Sequence, residues 1–466
     1  MSSNESKKPT VGSKAAESHV DPHVLAGLYL DKRGRRGQRL PLRFYQGRFW
    51  LWDGARYRSI SESQLRAEVT QICYEWSAGG KSPFRTTRSL VSNVMQALSG
   101  LTVVEDDQDM PLWLGKTGEC CRNLLSVSNG LVDLDTLLDG KQARLLPATP
   151  DWFSTVTLPY AFDPKAQCPR WEAFLSEILE GDDERIRLLQ EWFGYCLTRN
   201  TGEQKFLVLE GEGSNGKSVV CDLLAAMLGE ANVSHVSLEV FGDRFQLAAT
   251  LGMLANIATE TGELRSVAEG QLKSFTSGDR MCFDRKNLAP LNARPTARLV
   301  LATNNRPQFS DRSSGLWRRM IPLPFNVQIP DERKDKKLPD KLKAELSGIL
   351  NWAVQGEGRR KAQDGFTNPK VCAAALQEYQ EEMNPARVFL SEQIEAYPSE
   401  ALPSQELYKD YQDWCAANGH KHLNNPAFGK EVRRRFPKVR RIREGGGNRE
   451  WIYQGIRLAL DAPAPS

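Results

Sequence analysis

The 466-residue sequence has no run of 18 or more apolar residues, which argues against a membrane-spanning helix. Its opening stretch, MSSNESKKPTVGSKAAESH, lacks the apolar core of a secretion signal and reads as a disordered arm. There is no C-x-x-C, and the nine cysteines (73, 120, 121, 168, 196, 221, 282, 372 and 415) are irregularly spaced and odd in number. That disfavours a disulfide framework or a cysteine zinc site, and it points to a reducing, cytoplasmic compartment. Histidine is scarce, at five. His420 and His422 lie near each other without cysteine or carboxylate partners at ligand spacing, so no metal site is read there. No internal repeat is visible. The net charge is only +4, so any basic surface has to come from local clustering rather than from the whole chain.

What is present divides the chain into parts. Residues 43–60 carry Phe44, Phe49, Trp50, Trp52 and Tyr57 around Gly47 and Asp53-Gly54, which predicts a small β-meander. A helix is expected over 61–76, where Leu65, Val69 and Ile72 recur at helical spacing. Residues 124–138, with Asn129-Gly130, read as a hairpin. Pro169 opens a helix with an apolar stripe (Trp171, Phe174, Leu175, Ile178), read purely as core. Asp182 or Asp183 caps the next helix. From Lys205 onward, short apolar runs alternate with helical patterns, which indicates an α/β domain with a parallel sheet. The mixed charge run 331–343 reads as a solvated loop or helix face. The expected boundaries are an arm (1–22), an N-terminal mixed α/β and helical domain (23–200), a P-loop domain (201–383), a C-terminal domain (384–460) and a tail (461–466).

The strongest motif is Gly211-Glu212-Gly213-Ser214-Asn215-Gly216-Lys217-Ser218, a full G-x-x-x-x-G-K-[ST]. An apolar run at 206–209 precedes it, and Val219 opens a helical pattern after it. Glycines let the backbone wrap an anion, and successive N–H groups at a helix start offer it positive potential. In this pattern ATP sits on residues 211–219. Lys217 reaches its β/γ-phosphates, and the Ser218 hydroxyl binds Mg²⁺.

Hydrolysis also needs an acid, a polar γ-phosphate sensor and often an arginine from a neighbour. Glu260, at the end of the strand-like LANIATE, is the candidate acid and Mg²⁺ partner, with Glu263 as second choice. Asn304, at the end of LVLATNN, is the candidate sensor, although Asn-Asn before Pro307 also suits an ordinary turn. Arg318 and Arg319 precede a β-like run and are finger candidates, the plain alternative being a surface basic pair.

GEGSNGKS, NIATET, LKSFTSGDRMCFDRKN, LATNNRP and GLWRRMIPLPF occur in an order that resembles superfamily-3 helicases. The likeness is to the helicase part of poxvirus-type and of phage-satellite or plasmid primase-helicases. Flanking stretches extend it from about residue 43 to 458. The resemblance implies an AAA+-type motor that forms a hexameric ring, with Glu260 at the acidic position and Asn304 as sensor. It also implies Arg319 as the finger, preferred for its spacing to Phe325, with Arg318 the alternative. A DNA-tracking hairpin is implied over 282–298, with Arg285 and Lys286 near the tip and Arg294 in support. Thr259 stands where relatives often carry a second acid. No set of paired acids with a histidine is visible near the N-terminus, so no primase activity is expected, and a separate primase or polymerase becomes a candidate partner.

Residues 430–443 hold eight basic residues against one acid: Lys430, Arg433, Arg434, Arg435, Lys438, Arg440, Arg441 and Arg443 against Glu431. Two helices, a basic helix and a terminal hairpin with a glycine-rich tip at 445–448 are the order of a winged-helix module. Arg433, Arg434, Arg435, Lys438, Arg440 and Arg441 are its candidate DNA contacts, the bland alternative being a solvated helix face. The sequence therefore reads as an ATP-dependent, ring-forming DNA helicase that replicates a viral, phage-satellite or plasmid-type element. Rival readings are an ATP-switched DNA-binding initiator or regulator, and a defence or remodelling ATPase.

Overall fold

The structure, a computed structural model, describes residues 20–34, 40–79, 84–106, 109–114, 123–141, 145–260, 268–309, 314–443 and 450–459. The chain divides into two compact units. One is Met1–Phe162 with Arg285–Leu291, and the other is Asp163–Asp284 with Asn292–Ser466.

In the first unit the expected meander is present as Leu42–Tyr45, Arg48–Trp52 and Tyr57–Ile60, paired antiparallel. Its first turn uses positive φ at Gln46 and Gly47 (50° and 74°), where Gly47 fits without steric cost. Helices Pro22–Lys32, Glu62–Gly79 and Arg88–Thr102 share a core with the meander, built from Leu25, Tyr29, Leu65, Val69, Val94 and Leu98. Tyr45 and Tyr57 pack edge-on against Phe153 in a separate cluster. The hairpin around Asn129-Gly130 pairs Leu124–Val127 with Gly130–Asp133. It stops there, short of the expected residue 138, because the Asp133 side chain accepts from Thr136 N (3.2 Å) and caps a short helix, Leu134–Leu138.

The second unit opens with two helices that the sequence had grouped with the N-terminal domain: α1 (Pro169–Ile178) and α2 (Asp183–Tyr195). Asp182 caps α2 through Glu184 N and Arg185 N. The long helix Leu346–Ala362 crosses α2 with almost no space between them. A Cβ on Gly194 would stand 2.2 Å from the Ala353 carbonyl oxygen, and one on Gly356 would stand 2.3 Å from that of Gln190. Only glycine lets the two backbones approach so closely.

Five parallel strands follow: β1 (Phe206–Glu210), β2 (Val233–Ser234), β3 (Ala255–Glu260), β4 (Arg298–Thr303) and β5 (Met320–Pro324). Their order across the sheet is β2-β3-β4-β1-β5, all parallel. Every residue of β1 and β4 is buried, as expected of inner parallel strands covered on both faces. Phe206, Val208, Leu299 and Leu301 point into one core with Leu272, Phe275, Leu316 and Tyr379. At the entrance of β4, the buried Arg298 guanidinium lies over the Tyr195 ring (4.1 Å) and donates to the Thr198 and Asn200 carbonyls. That buried charge is thereby paired with acceptors rather than left bare.

The chain ends in a body ordered helix (Pro385–Gln393), strand (Ile394–Pro403), helix (Ser404–Ala417), helix (Asn425–Arg435) and two strands (Arg440–Arg443, Trp451–Leu458). Trp451–Leu458 is the central strand of this antiparallel sheet. The helical pattern expected over 387–396 ends at Gln393, because Ile394 begins a strand and pairs with Leu458. The glycine-rich tip at 445–448 lies outside the described residues.

Candidate nucleotide-binding site

The P-loop joins β1 to α3 (Lys217–Leu228), as its pattern requires. Four residues of the loop take positive φ: Gly211 (153°), Gly213 (94°), Ser214 (50°) and Gly216 (89°). This turns successive N–H groups inward and forms an anion cradle at the start of α3. Gly211 is fixed by space as well as by angle, since a Cβ there would lie 2.4 Å from the Phe325 carbonyl oxygen. A Cβ on Gly216 would lie 3.0 Å from Ile178 and 3.1 Å from Phe174 of α1. Gly211→Ala should therefore cost about 1–3 kcal/mol through overpacking and abolish nucleotide binding. Thermal melts with and without ATP check both, and a variant that ATP still stabilises contradicts it.

Lys217 is buried, and its ammonium donates to the Gly211 carbonyl (2.5 Å) and to Asn215 Oδ1 (3.1 Å). Burial holds its pKa below that of an ordinary lysine. Asn215 Nδ2 in turn donates to Phe325 O (3.3 Å). A cleft of about 800 Å³ opens here, lined by Gly213, Ser214, Asn215, Gly216, Lys217, Ser218 and Val219. Gly211 and Glu212 are not among the lining residues, and Glu212 is exposed. Thr259 of β3, Ala302 of β4 and Asn304 complete the floor. Sheet order explains the meeting, because β4 lies directly beside β1 and carries Asn304 to the P-loop mouth.

Glu260 is the last residue of β3, and its backbone is in register with Thr303. Glu263 lies outside the described residues.

Two features of the cleft were not read from the sequence as site residues. The charge run 331–343 is not simply a solvated face. Arg333, Lys334, Lys336 and Lys341 line the cleft, and Lys334 Nζ donates to Ser214 Oγ (3.0 Å). The segment is held along the loop by Ile329 N donating to the Ser214 carbonyl (2.7 Å). Likewise Phe174, read only as core, forms an apolar wall with Ala173, Ile329, Leu338 and Pro339. The cleft is thus lined by both basic and apolar side chains, which suits a ligand with phosphates and a base.

The two finger candidates differ sharply. Arg319 is buried (8% exposed), donating to the Gly315 carbonyl, Ser277 Oγ (2.6 Å) and Gln204 Oε1. Burial and the neighbouring Arg318 charge lower its pKa. Arg318 is exposed, and it precedes the edge strand β5. Neither lines the cleft of its own chain.

A further group emerges beyond Asn304. Arg306 makes a two-pronged pair with Glu210, the last residue of β1 (Nε–Oε2 3.1 Å, Nη2–Oε1 3.2 Å). It also reaches Glu378 (2.9 Å) and Glu382 (3.2 Å) on helix Lys370–Met383. A charged residue two places after Asn304 was the only trace of this in the sequence.

The expected DNA contacts lie elsewhere. Met281–Phe283 and Leu291–Ala293 form a two-stranded ribbon before β4. Arg285, in the first unit, donates to the Gln46 carbonyl (3.0 Å) and to the Ala289 carbonyl, while Lys286 is exposed. Arg294 donates to the Gly278 carbonyl (2.9 Å). Arg433, Arg434 and Arg435 are exposed in the last turn of helix Asn425–Arg435, Lys438 follows it, and Arg440 and Arg441 are exposed on the next strand. The basic group is thus divided between helix, loop and strand.

Residues 28–180 match a D5 N-terminal-like family, 209–319 a family of unknown function, and 384–460 the RFX DNA-binding domain. A provisionally named helicase of Acanthamoeba polyphaga mimivirus is 22% identical over 254 residues, covering 48% of this chain and 26% of that protein. Another, of Invertebrate iridescent virus 3, is 23% identical over 332 residues, covering 62% and 34%. The chain thus spans about a quarter to a third of these relatives. The C-terminal region of NrS-1 shares the fold, with a TM-score of 0.54 at 11% identity, covering 94% of this chain and all of that one. The D5-like match and the viral relatives, with this shared fold beside them, support a likeness to primase-helicase-like superfamily-3 helicases.

Proposed function

We propose that the chain is an ATP-hydrolysing DNA helicase motor that works as a ring, most simply a homohexamer, during replication of a viral or plasmid-type element. The observation that carries this reading is the meeting of Lys217, Ser218 and Asn304 in one cleft at the ends of adjacent parallel strands. Phosphates lie on the cradle, with Lys217 and Lys334 neutralising charge. The base lies against Phe174, Ile329 and Leu338. Asn304 positions the attacking water and senses the γ-phosphate. Ser218, with the Glu260 end of β3, would hold Mg²⁺, which would supply positive charge to the phosphate oxygens.

Arg318 is the better finger. A trans-acting arginine has to project from the chain, and Arg319 is already committed to three acceptors within it. The β2-β3-β4-β1-β5 order supports an AAA+-type motor. The helix–strand–helix–helix–strand–strand order of the last body, with its RFX-like match, supports a winged-helix DNA-binding domain. Residues 384–460 are kept as the DNA-binding part and 201–383 as the P-loop core of the motor, with α1 and α2 joined to that core in the same compact unit. A separate primase or polymerase would supply primers. Among the described residues no helix is long and apolar enough to cross a membrane.

ATP hydrolysis measured with and without single-stranded DNA tests the reading. The rate is expected to rise with DNA, and a rate indifferent to DNA would favour an ATPase that remodels protein.

A further inference from the structure

Trp451 is 41% exposed, an unusual place for so large an apolar side chain. It opens strand Trp451–Leu458 and lies outside the local core of Phe389, Tyr411, Phe428 and Tyr453. Arg443 is its direct partner on the neighbouring strand, and Arg441 lies two pairs further along, opposite Tyr453. The two guanidinium carbons sit 4.9 Å (Arg441) and 5.1 Å (Arg443) from the indole centroid. Such cation–π contacts hold an exposed ring in one orientation.

Side chains alternate along a strand, so Trp451 shares its face with Tyr453. Tyr453 is buried against helix Asn425–Arg435, where a Cβ on Gly429 would stand 2.8 Å from its hydroxyl. The indole and its two arginines therefore lie on the side of the sheet that faces the basic helix. That helix exposes Arg433, Arg434 and Arg435 in its last turn.

We propose that this face recognises the junction where duplex DNA gives way to single strand. This rests on reading the C-terminal body as DNA-binding. Helix Asn425–Arg435 takes the duplex phosphates, Trp451 stacks on the first unpaired base, and Arg441 and Arg443 pair with the phosphates flanking it. The charge complements a polyanion, and the flat indole selects the position. Within a continuous duplex both faces of every base are covered by neighbours. A preset aromatic surface finds a free base face only at an end or in a single strand. An arginine-rich helix alone makes no such distinction.

The test is fluorescence anisotropy of the full chain without nucleotide, on a blunt duplex and on the same duplex with a single-stranded tail. The tail carries 2-aminopurine at its first unpaired position. Trp451→Ala is expected to lose about ten-fold in affinity for the tailed duplex, with blunt-duplex affinity unchanged. It should also lose the 2-aminopurine quenching seen with the wild type. Trp451→Phe is expected to keep most of both. Equal weakening on the two substrates, or quenching that survives in Trp451→Ala, overturns the proposal and leaves the motor reading standing. Failure of the wild-type chain to bind either DNA overturns the proposal together with the DNA-binding reading beneath it.

Discussion

Arg318→Ala is expected to slow ATP hydrolysis by the assembled protein about 10³-fold or more, with ATP still bound by each subunit. The guanidinium precedes the edge strand of the sheet and is exposed, where a neighbour's phosphates can meet it. Arg319→Ala should behave differently. Its bonds to Gly315, Ser277 and Gln204 are internal, so losing them costs about 1–3 kcal/mol of stability. Mixing separates a finger acting in trans from a residue acting within its own chain. Arg318→Ala and Lys217→Ala subunits are each inactive alone. A mixed assembly contains interfaces with an intact P-loop on one side and an intact Arg318 on the other, so hydrolysis partly returns. No recovery on mixing, in assemblies shown to contain both variants, contradicts the assignment.

Arg306→Ala is expected to destabilise the motor by about 3 kcal/mol. Glu210 is 8% exposed at the end of β1, immediately before the P-loop, and its carboxylate takes both prongs of the Arg306 guanidinium. Removing the arginine leaves that carboxylate desolvated and unpaired, the costly way to break such a pair. Glu378 and Glu382, more exposed, are screened by water and contribute less. Arg306 also joins the exits of β1 and β4 to helix Lys370–Met383, so the variant should lower hydrolysis along with stability. Urea melts of Arg306→Ala, Glu210→Ala and the double variant check this. The double variant should be more stable than the two single losses combined predict. A single-variant loss within about 0.5 kcal/mol would mean the pair is a surface ornament.

The P-loop and the strands around it were legible because their signals are local. Buried parallel strands read as continuous apolar runs, and the glycine spacing of the cradle follows from backbone angles that few other residues tolerate. Asn304 was legible by its place at a strand end. What the sequence hid depends on distant partners. Lys334 and Lys341 look like any solvated charge run until Ile329 ties their segment to Ser214. Phe174 belongs to a regular apolar stripe, and periodicity cannot tell core from the wall of a cleft. Arg318 and Arg319 are adjacent in sequence and differ only in which of them the fold turns inward. Spacing favoured Arg319, and only the positions of Ser277 and Gln204 show where its guanidinium goes. The grouping of α1 and α2 with the motor rather than with the N-terminal part depends on glycine-mediated helix packing, which has no linear signature.

A motor of this kind has to couple ATP to strand separation. Its most direct measurement is unwinding of a forked DNA duplex with ATP and Mg²⁺, wild type against Lys217→Ala. Displacement of the strand by the wild type alone is the predicted result. DNA-stimulated hydrolysis with no displacement on any fork would contradict it, and would leave an ATP-switched DNA-binding protein in its place.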